Sequence, residues 1–347
     1  MNLRSLFLCA ICIWQIVVFL SLGVDMPSSH FQVDPMSEKI QWFPGHMNKA
    51  RREFRDRLPK VHMVIEVLDA RIPWSSQNPM LEELRGDKPV LKVLAKADLA
   101  DPERTKIWQE WFEKQDGFRA KAISTENIPQ IMGIKQICSK MIPNQEFVKS
   151  MVVGVPNVGK STLINKLAGR KIAKTGNEPA VTKSQRRIDI GQGISLFDTP
   201  GMLWPNVENR DSGFRLASVG SVKDTALDYE EVAAYAGKFL LEHYSGGLME
   251  RYGFDSVPKD VVELFDAIGH KRGCLGKNAV VNYERVSRIL VTEFRGGKLG
   301  PITMETPEMV ERELIELEKT KAEKSAKKQA RDKKRKDAFK ARNKRER

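Results

Sequence analysis

Hydrophobic positions in the chain recur with two periods, and the switch between them divides it. Met47, Ala50, Phe54 and Leu58 fall on one face of a helix predicted over 47–58, with Arg51, Arg52, Arg55 and Arg57 largely off that face. Continuous apolar runs follow at "VHMVIEVLDA" (61–70), "PVLKVL" (89–94), "RAKAIS" (119–124) and "KSMVVGV" (149–155), which read as buried strands. Between them, "RTKIWQEWFEKQ" (104–115) and "IMGIKQICSKMI" (131–142) have helical spacing, as does "KSTLINKLAG" (160–169) after the fourth run. "RRIDIG" (186–191) and "GISLFD" (193–198) complete a strand set. Alternating strands and helices imply an α/β fold with a doubly wound, mostly parallel sheet. After about Arg210 the strands cease. Segments 229–244, 258–273 and 282–297 are helical with glycine stops, and predict a smaller α-helical domain.

Charge changes the picture at the C-terminus. The net charge is +13, but from Lys319 to Arg347 fifteen Lys or Arg stand against four Asp or Glu, a net of +11. Only +2 is left for the other residues, so a polyanionic partner is expected chiefly at the tail. The opposite end is apolar. "LFLCAICIWQIVVFLSL" (6–22) reads as a mis-assigned leader before a true start at Met36, as a membrane anchor, or as a signal peptide. The first reading is preferred, since "MSEKIQWFPGHM" begins like a soluble domain and no small-residue cleavage site follows the apolar run. Cys9, Cys12, Cys138 and Cys274 lack metal-ligand or disulfide-framework spacing. The expected organisation is therefore an apolar leader (1–35), an α/β domain (36–210), an α-helical domain (211–307) and a basic, largely disordered tail (308–347).

The chemistry starts at "GVPNVGKS" (154–161), a complete G-x-x-x-x-G-K-[ST] loop between a strand and a helix. Gly154 and Gly159 let the backbone wrap phosphates, with Asn157, Val158, Gly159 and Thr162 contributing to the cradle. Lys160 reaches the β and γ phosphates, and Ser161 ligates Mg²⁺. "LFDTPG" (196–201) places Asp198 at a strand end, where it can hold Mg²⁺ through water, and offers the Gly201 amide to a γ-phosphate. Thr182, between the two motifs, is expected to be a metal-sensing switch threonine.

The base-reading motif comes in the wrong order. Lys96-Ala97-Asp98 ends the second strand, and "AIST" ends the third with Ser124 and Thr125. Alone, a Lys-x-Asp tripeptide is more readily chance than function. Here strand, Lys-x-Asp, helix and a second loop together form the base-binding half of a GTPase, placed before the phosphate half. In an open α/β sheet every ligand-binding loop lies at the carboxyl ends of the strands. Circular permutation therefore leaves one intact site, which reads GTP and GDP.

These segments, with "QWFPGHMNKARRE", "LDARIP", "SSQNPM", "DTPGMLWP" and "ELFDAIGHKRGCL", resemble the circularly permuted GTPases of the ribosome biogenesis GTPase A (YlqF) family. The resemblance spans about Ser37 to Thr306. It implies GTP hydrolysis coupled to late maturation of the large ribosomal subunit; contact with its rRNA and a cytoplasmic ribosome-associated protein, monomeric off the ribosome, are expected with it, membrane anchoring by residues 6–22 being the less favoured reading. It also implies K⁺ stimulation through Asn157 and a catalytic role for His46. Two positions depart from a standard GTPase. Met202 follows the switch glycine where many GTPases carry glutamine, and a thioether cannot orient water. Ala95 stands where the family pattern has asparagine before Lys-x-Asp, and the lost hydrogen bonds cost about 1–2 kcal/mol. The alternative functional reading is a nucleotide-gated rRNA-binding scaffold with little intrinsic catalysis. A small-molecule kinase is disfavoured by the lack of a recognisable acceptor pocket or lid.

Overall fold

In the computed structural model, residues 45–172, 187–204 and 207–345 are described. Six strands form one sheet in the order β3-β2-β1-β4-β6-β5. They are β1 (Met63–Asp69), β2 (Val90–Ala95), β3 (Phe118–Ala122), β4 (Val148–Val153), β5 (Arg187–Asp189) and β6 (Ile194–Asp198). All neighbours are parallel except β5, which runs antiparallel to β6 on the edge. The base half (β1–β3) and the phosphate half (β4–β6) meet at the β1–β4 pairing. The reversed order in sequence thus leaves the sheet continuous. The predicted doubly wound architecture is present, with the antiparallel edge as a local exception.

β1 and β2 are buried along their full length because helices cover both faces. One face carries α1 (Gly45–Arg57), whose Ala50 and Phe54 pack with Val64, Val90, Met151 and Met202. Farther along the same face, since side chains four apart in a strand point the same way, Leu68 and Leu94 meet Trp108 and Phe112 of α3 (Pro102–Glu113). Two charges interrupt the apolar strands, and they occupy one rung: Glu66 opposes Lys92, with Nζ 2.6 Å from the carboxylate. Gln77 and the amide of Asn78 complete their hydrogen bonding, so neither charge is buried without a partner. α4 (Ile128–Met141) and α5 (Lys160–Ala168) complete the α/β part, with the short α2 (Pro79–Leu84) not foreseen from periodicity.

The helical part comprises α6 (Arg210–Ser218), α7 (Tyr229–His243), α8 (Ser245–Tyr252), α9 (Val261–Arg272) and α10 (Tyr283–Arg295). Asn209, Asp228, Asp260 and Asn282 cap helix N-termini by accepting backbone amides. The chain then crosses back. Ile302 N donates to Leu99 O, Met304 N to Arg71 O at 2.7 Å, and Trp108 Nε1 to Glu305 O at 3.0 Å. The buried Glu305 carboxylate accepts from the amides of Trp74 and Ser75 and from the Ser75 hydroxyl. The helical part is thereby laced to the base half of the sheet as well as following the phosphate half in sequence.

The 308–347 tail, expected to be largely disordered, differs: α11 runs from Pro307 to Arg345. Its first turns are anchored by Val310 in the core and by Glu313, which accepts from Arg215 and Asn209. Beyond them, Ala, Lys, Glu, Gln and Arg have strong intrinsic helix propensity, so a charged composition does not prevent a helix.

Candidate active site

The loop after β4 takes its shape from backbone constraints. Gly154 has φ +152°, and a Cβ there would stand 2.4 Å from Val67 O, so only glycine lets the loop leave the sheet beside β1. Lys160, the first residue of α5, folds back so that Nζ donates to Gly154 O at 3.0 Å and Val155 O at 2.7 Å. Ser161 and Thr162 follow in the first helical turn and are half-buried. Val158 is buried within the loop, and Asn157 has φ 57°.

Across from the loop, β6 ends at Asp198 in register with Val152. Thr199 Oγ1 donates to Val152 O at 2.6 Å and Met202 N to Gly154 O at 3.3 Å, so 199–202 is stitched to β4 and its loop. A Cβ on Gly201 would lie 2.8 Å from Pro156 Cα and 3.1 Å from Lys160 Nζ. This close approach puts the Gly201 backbone beside the phosphate-loop lysine. Burial raises the Asp198 carboxyl pKa, with nearby Lys160 opposing. Burial lowers that of Lys160, with Asp198 opposing.

Asp198 Oδ1 is buried with no hydrogen-bond partner among the described residues. Together with the Ser161 hydroxyl it offers oxygen ligands suited to Mg²⁺. No group of three His, Cys, Asp or Glu capable of holding a metal occurs among the described residues.

The base half joins this site. Lys96, with φ 59°, extends Nζ to Asn157 O at 2.8 Å and to Asp69 Oδ2 at 2.8 Å. Asp98 is exposed on the same turn. Ala97 N donates to Ile123 O, which ties the turn to the neighbouring loop carrying Ser124 and Thr125. In that loop, Ser124 N donates to Gln130 Oε1 and Ser124 Oγ accepts from Glu126 N.

Two expected participants, Thr182 and His46, and the departing position Met202 have different outcomes. Thr182 lies outside the described residues. His46 lies in α1, and its side chain is likewise outside the described part. Met202 is only 2% exposed and packs in the cluster containing Ala50 and Phe54, so the residue after the switch glycine anchors α1 to the 199–202 segment. The Asn157 side chain donates through Nδ2 to Gly220 O at 2.8 Å, a contact to the helical part that the sequence did not signal. Asp69 and Arg71 were also not assigned to the site. Their signal was available in "LDARIP", two opposite charges closing an apolar strand. In the helical part, Lys271 donates to Gly253 O, and Arg272 pairs with Glu293 at 3.3 Å over the Tyr252 ring.

Residues 149–232 match the family model described as a 50S ribosome-binding GTPase. Ribosome biogenesis GTPase A of Bacillus cereus is 47% identical over 283 residues, covering 78% of this chain and 94% of that protein. Mitochondrial ribosome-associated GTPase 1 of Mus musculus is 35% identical over 302 residues, 79% of this chain and 91% of its own. A crystal structure of GNP-bound YlqF from T. maritima superposes with a TM-score of 0.57 at 30% identity, covering 75% of this chain and 99% of that one. A GDP-bound YlqF structure gives 0.56 at the same identity.

Proposed function

The chain belongs to the ribosome biogenesis GTPase A family and is a GTPase acting in ribosome biogenesis; we propose that it hydrolyses GTP to GDP and phosphate during late maturation of the large ribosomal subunit, with Mg²⁺ as cofactor and K⁺ as activator. The observation that carries this reading is the 2.8 Å hydrogen bond from Lys96 to the Asn157 carbonyl, which joins a base-reading turn to a phosphate loop 61 residues later.

In this reading the loop amides of Asn157 to Thr162 and the Lys160 ammonium bind the β and γ phosphates. Ser161 and Asp198 hold Mg²⁺, joined by Thr182 in the GTP state; the ion, when bound, neutralises phosphate charge. The Gly201 amide donates to the γ-phosphate, and His46 places the attacking water. Asp98 accepts from guanine N1–H and the 2-amino group, with Lys96 and the Ser124–Thr125 loop bounding the base. Asn157 contributes to the K⁺ site. Since its amide also touches Gly220, an event at the phosphates reaches the helical part through two routes: the 199–202 segment and this side chain. The protein is read as cytoplasmic and ribosome-associated, and monomeric off the ribosome. No helix among the described residues is long and apolar enough to cross a membrane.

The burial of Met202 in the core, with no side chain there to orient water, favours one second reading: a nucleotide-gated rRNA-binding scaffold with little catalysis. One experiment separates them, namely GTP turnover with and without purified large subunits, in potassium and in sodium buffer. Slow turnover, accelerated by subunits and by potassium, supports the GTPase switch. RNA binding without turnover on subunits selects the scaffold.

A further inference from the structure

We propose that Asp69 is the positioning residue of the base-reading turn, supplying through Lys96 the tie to the phosphate loop that Ala95 cannot make. The inference rests on the base-reading role proposed above for Lys96 and Asp98.

The need for such a tie follows from position 95. β2 ends there, and the chain turns at once through Lys96 in the left-handed region. The Ala95 side chain faces the phosphate loop: a Cβ built on Gly159 would lie 4.0 Å from Ala95 Cβ. A methyl group at that distance packs but accepts and donates nothing. A side-chain hydrogen bond joins the turn to the phosphate loop, from Lys96 Nζ to Asn157 O at 2.8 Å. A lysine side chain is a flexible stem carrying a freely rotating ammonium, so its direction must be set by something else.

Asp69 sets it. The strand register places Asp69 directly beside Ala95. Its Oδ2 accepts from Lys96 Nζ at 2.8 Å and from Arg71 Nη2 at 2.8 Å, while Oδ1 accepts from Arg71 Nε at 2.8 Å and Arg71 N at 3.1 Å. Asp69 is 1% exposed, and its own amide donates to Ser76 Oγ. Arg71 is fixed in turn, with Nη1 donating to Arg295 O at 3.2 Å and its guanidinium over the Phe294 ring. The carboxylate is therefore immobile and shared by two cations. Removing its charge leaves Lys96 and Arg71 facing each other without the carboxylate they share, Asp98 being the remaining negative charge that acts on Lys96. The ammonium then leaves the Asn157 carbonyl, and the base turn parts from the phosphate loop.

The test is a two-site cycle in the full chain, reading GDP affinity with a fluorescent GDP analogue and GTP turnover on large subunits. Asp69→Asn keeps shape and removes charge. It is expected to weaken GDP about tenfold, the size of one lost charge-assisted hydrogen bond, with KM raised and kcat retained. Ala95→Asn restores most of that loss, because its amide faces Gly159 and can bridge the loops directly. In the wild-type background the same change tightens GDP less. A purely structural Asp69 would lower the melting temperature without this rescue. GDP affinity within twofold of wild type in Asp69→Asn, or an Ala95→Asn effect equal in both backgrounds, overturns the proposal. If Asp69→Asn does not fold, Lys96→Met removes the same tie while leaving the Asp69–Arg71 pair. It must then show the same rescue by Ala95→Asn, and its absence overturns the proposal equally. Asp98→Asn, assayed for GDP against xanthosine diphosphate, separates the two layers. No change in base preference sinks the base-reading role and this proposal with it. A shift toward xanthosine diphosphate combined with an additive 69/95 cycle sinks the positioning role alone.

Discussion

Lys160 is a buried cation that the protein satisfies with two carbonyls of its own loop, and burial drags its pKa downward. In the proposed reading, bound phosphates supply the missing counter-charge, so Lys160→Ala should abolish GDP binding in a fluorescence titration while the thermal melt stays near wild type. Gly201→Ala should act differently. The added methyl meets backbone at Pro156 that cannot swing away, so turnover should fall by more than GDP affinity. Asp69 gives a pH signature. Burial pushes its carboxyl up, but the Arg71 guanidinium and Lys96 ammonium outweigh that and hold it well below the usual value of 3.8. An acid whose folded pKa is depressed contributes stability that is complete above the unfolded value and lost as pH falls through the folded one. The stability gap between wild type and Asp69→Asn in urea melts should therefore be constant near neutrality and narrow below pH 3.8. A gap that stays constant down to pH 2 would contradict the charge-pairing account. Lys160, Asp198 and Gly201 were legible because each belongs to a motif of fixed local spacing. The partners of Lys96 were not, because Asp69 meets it only through strand register.

Helices and strands with a long, clean period were legible; short ones enclosed on every side were not. α7, α9 and α10 lie within a few residues of their predicted spans. α6 was missed because Ser212 to Ser218 are all buried, polar and apolar alike, so no amphipathic stripe marks it. Its C-terminal carbonyls, Ala217 O and Ser218 O, accept from Arg295 at 2.8 Å and 3.1 Å, next to the Gly220 carbonyl held by Asn157. Arg295→Ala should take the side-chain donor from the buried Ser218 carbonyl and one of the donors from Ala217 O, which keeps Gly220 N at 3.0 Å, and cost about 1–3 kcal/mol in urea unfolding. At the other end of the site, α1 is pinned to the 199–202 segment by Met202. If His46 on that helix places the attacking water, His46→Ala should reduce subunit-stimulated turnover more than GTP affinity. Equal loss of both with a lowered melting temperature would mark His46 as structural.

At the scale of the whole molecule, positive charge and the nucleotide site are at separate places on one chain. The permuted order was legible because a sheet can be re-cut without moving its strand ends. The return of 302–305 onto the base half was not, since no local pattern announces where a connecting segment will dock. That return also fixes how the basic helix emerges: α11 is bound to the body through Val310 and Glu313, and its residues from 322 to 336 are largely exposed. The exposed pair Lys321–Glu208 adds little to this anchoring. A chain ending at Glu318 keeps the anchor and loses the net +11 of Lys319 to Arg347. Its basal hydrolysis should match that of the full chain, because no hydrogen bond or ion pair among the described residues joins the nucleotide site to the deleted segment. Its affinity for rRNA should fall, and so should the steepness of log K against log salt. Each phosphate contact that is lost removes one condensed counterion from the release term, about 0.9 of slope on a duplex and about 0.7 on a single strand. An unchanged slope in the truncated protein would assign the RNA contact instead to the exposed arginines of α1 or to Lys271 in the helical part.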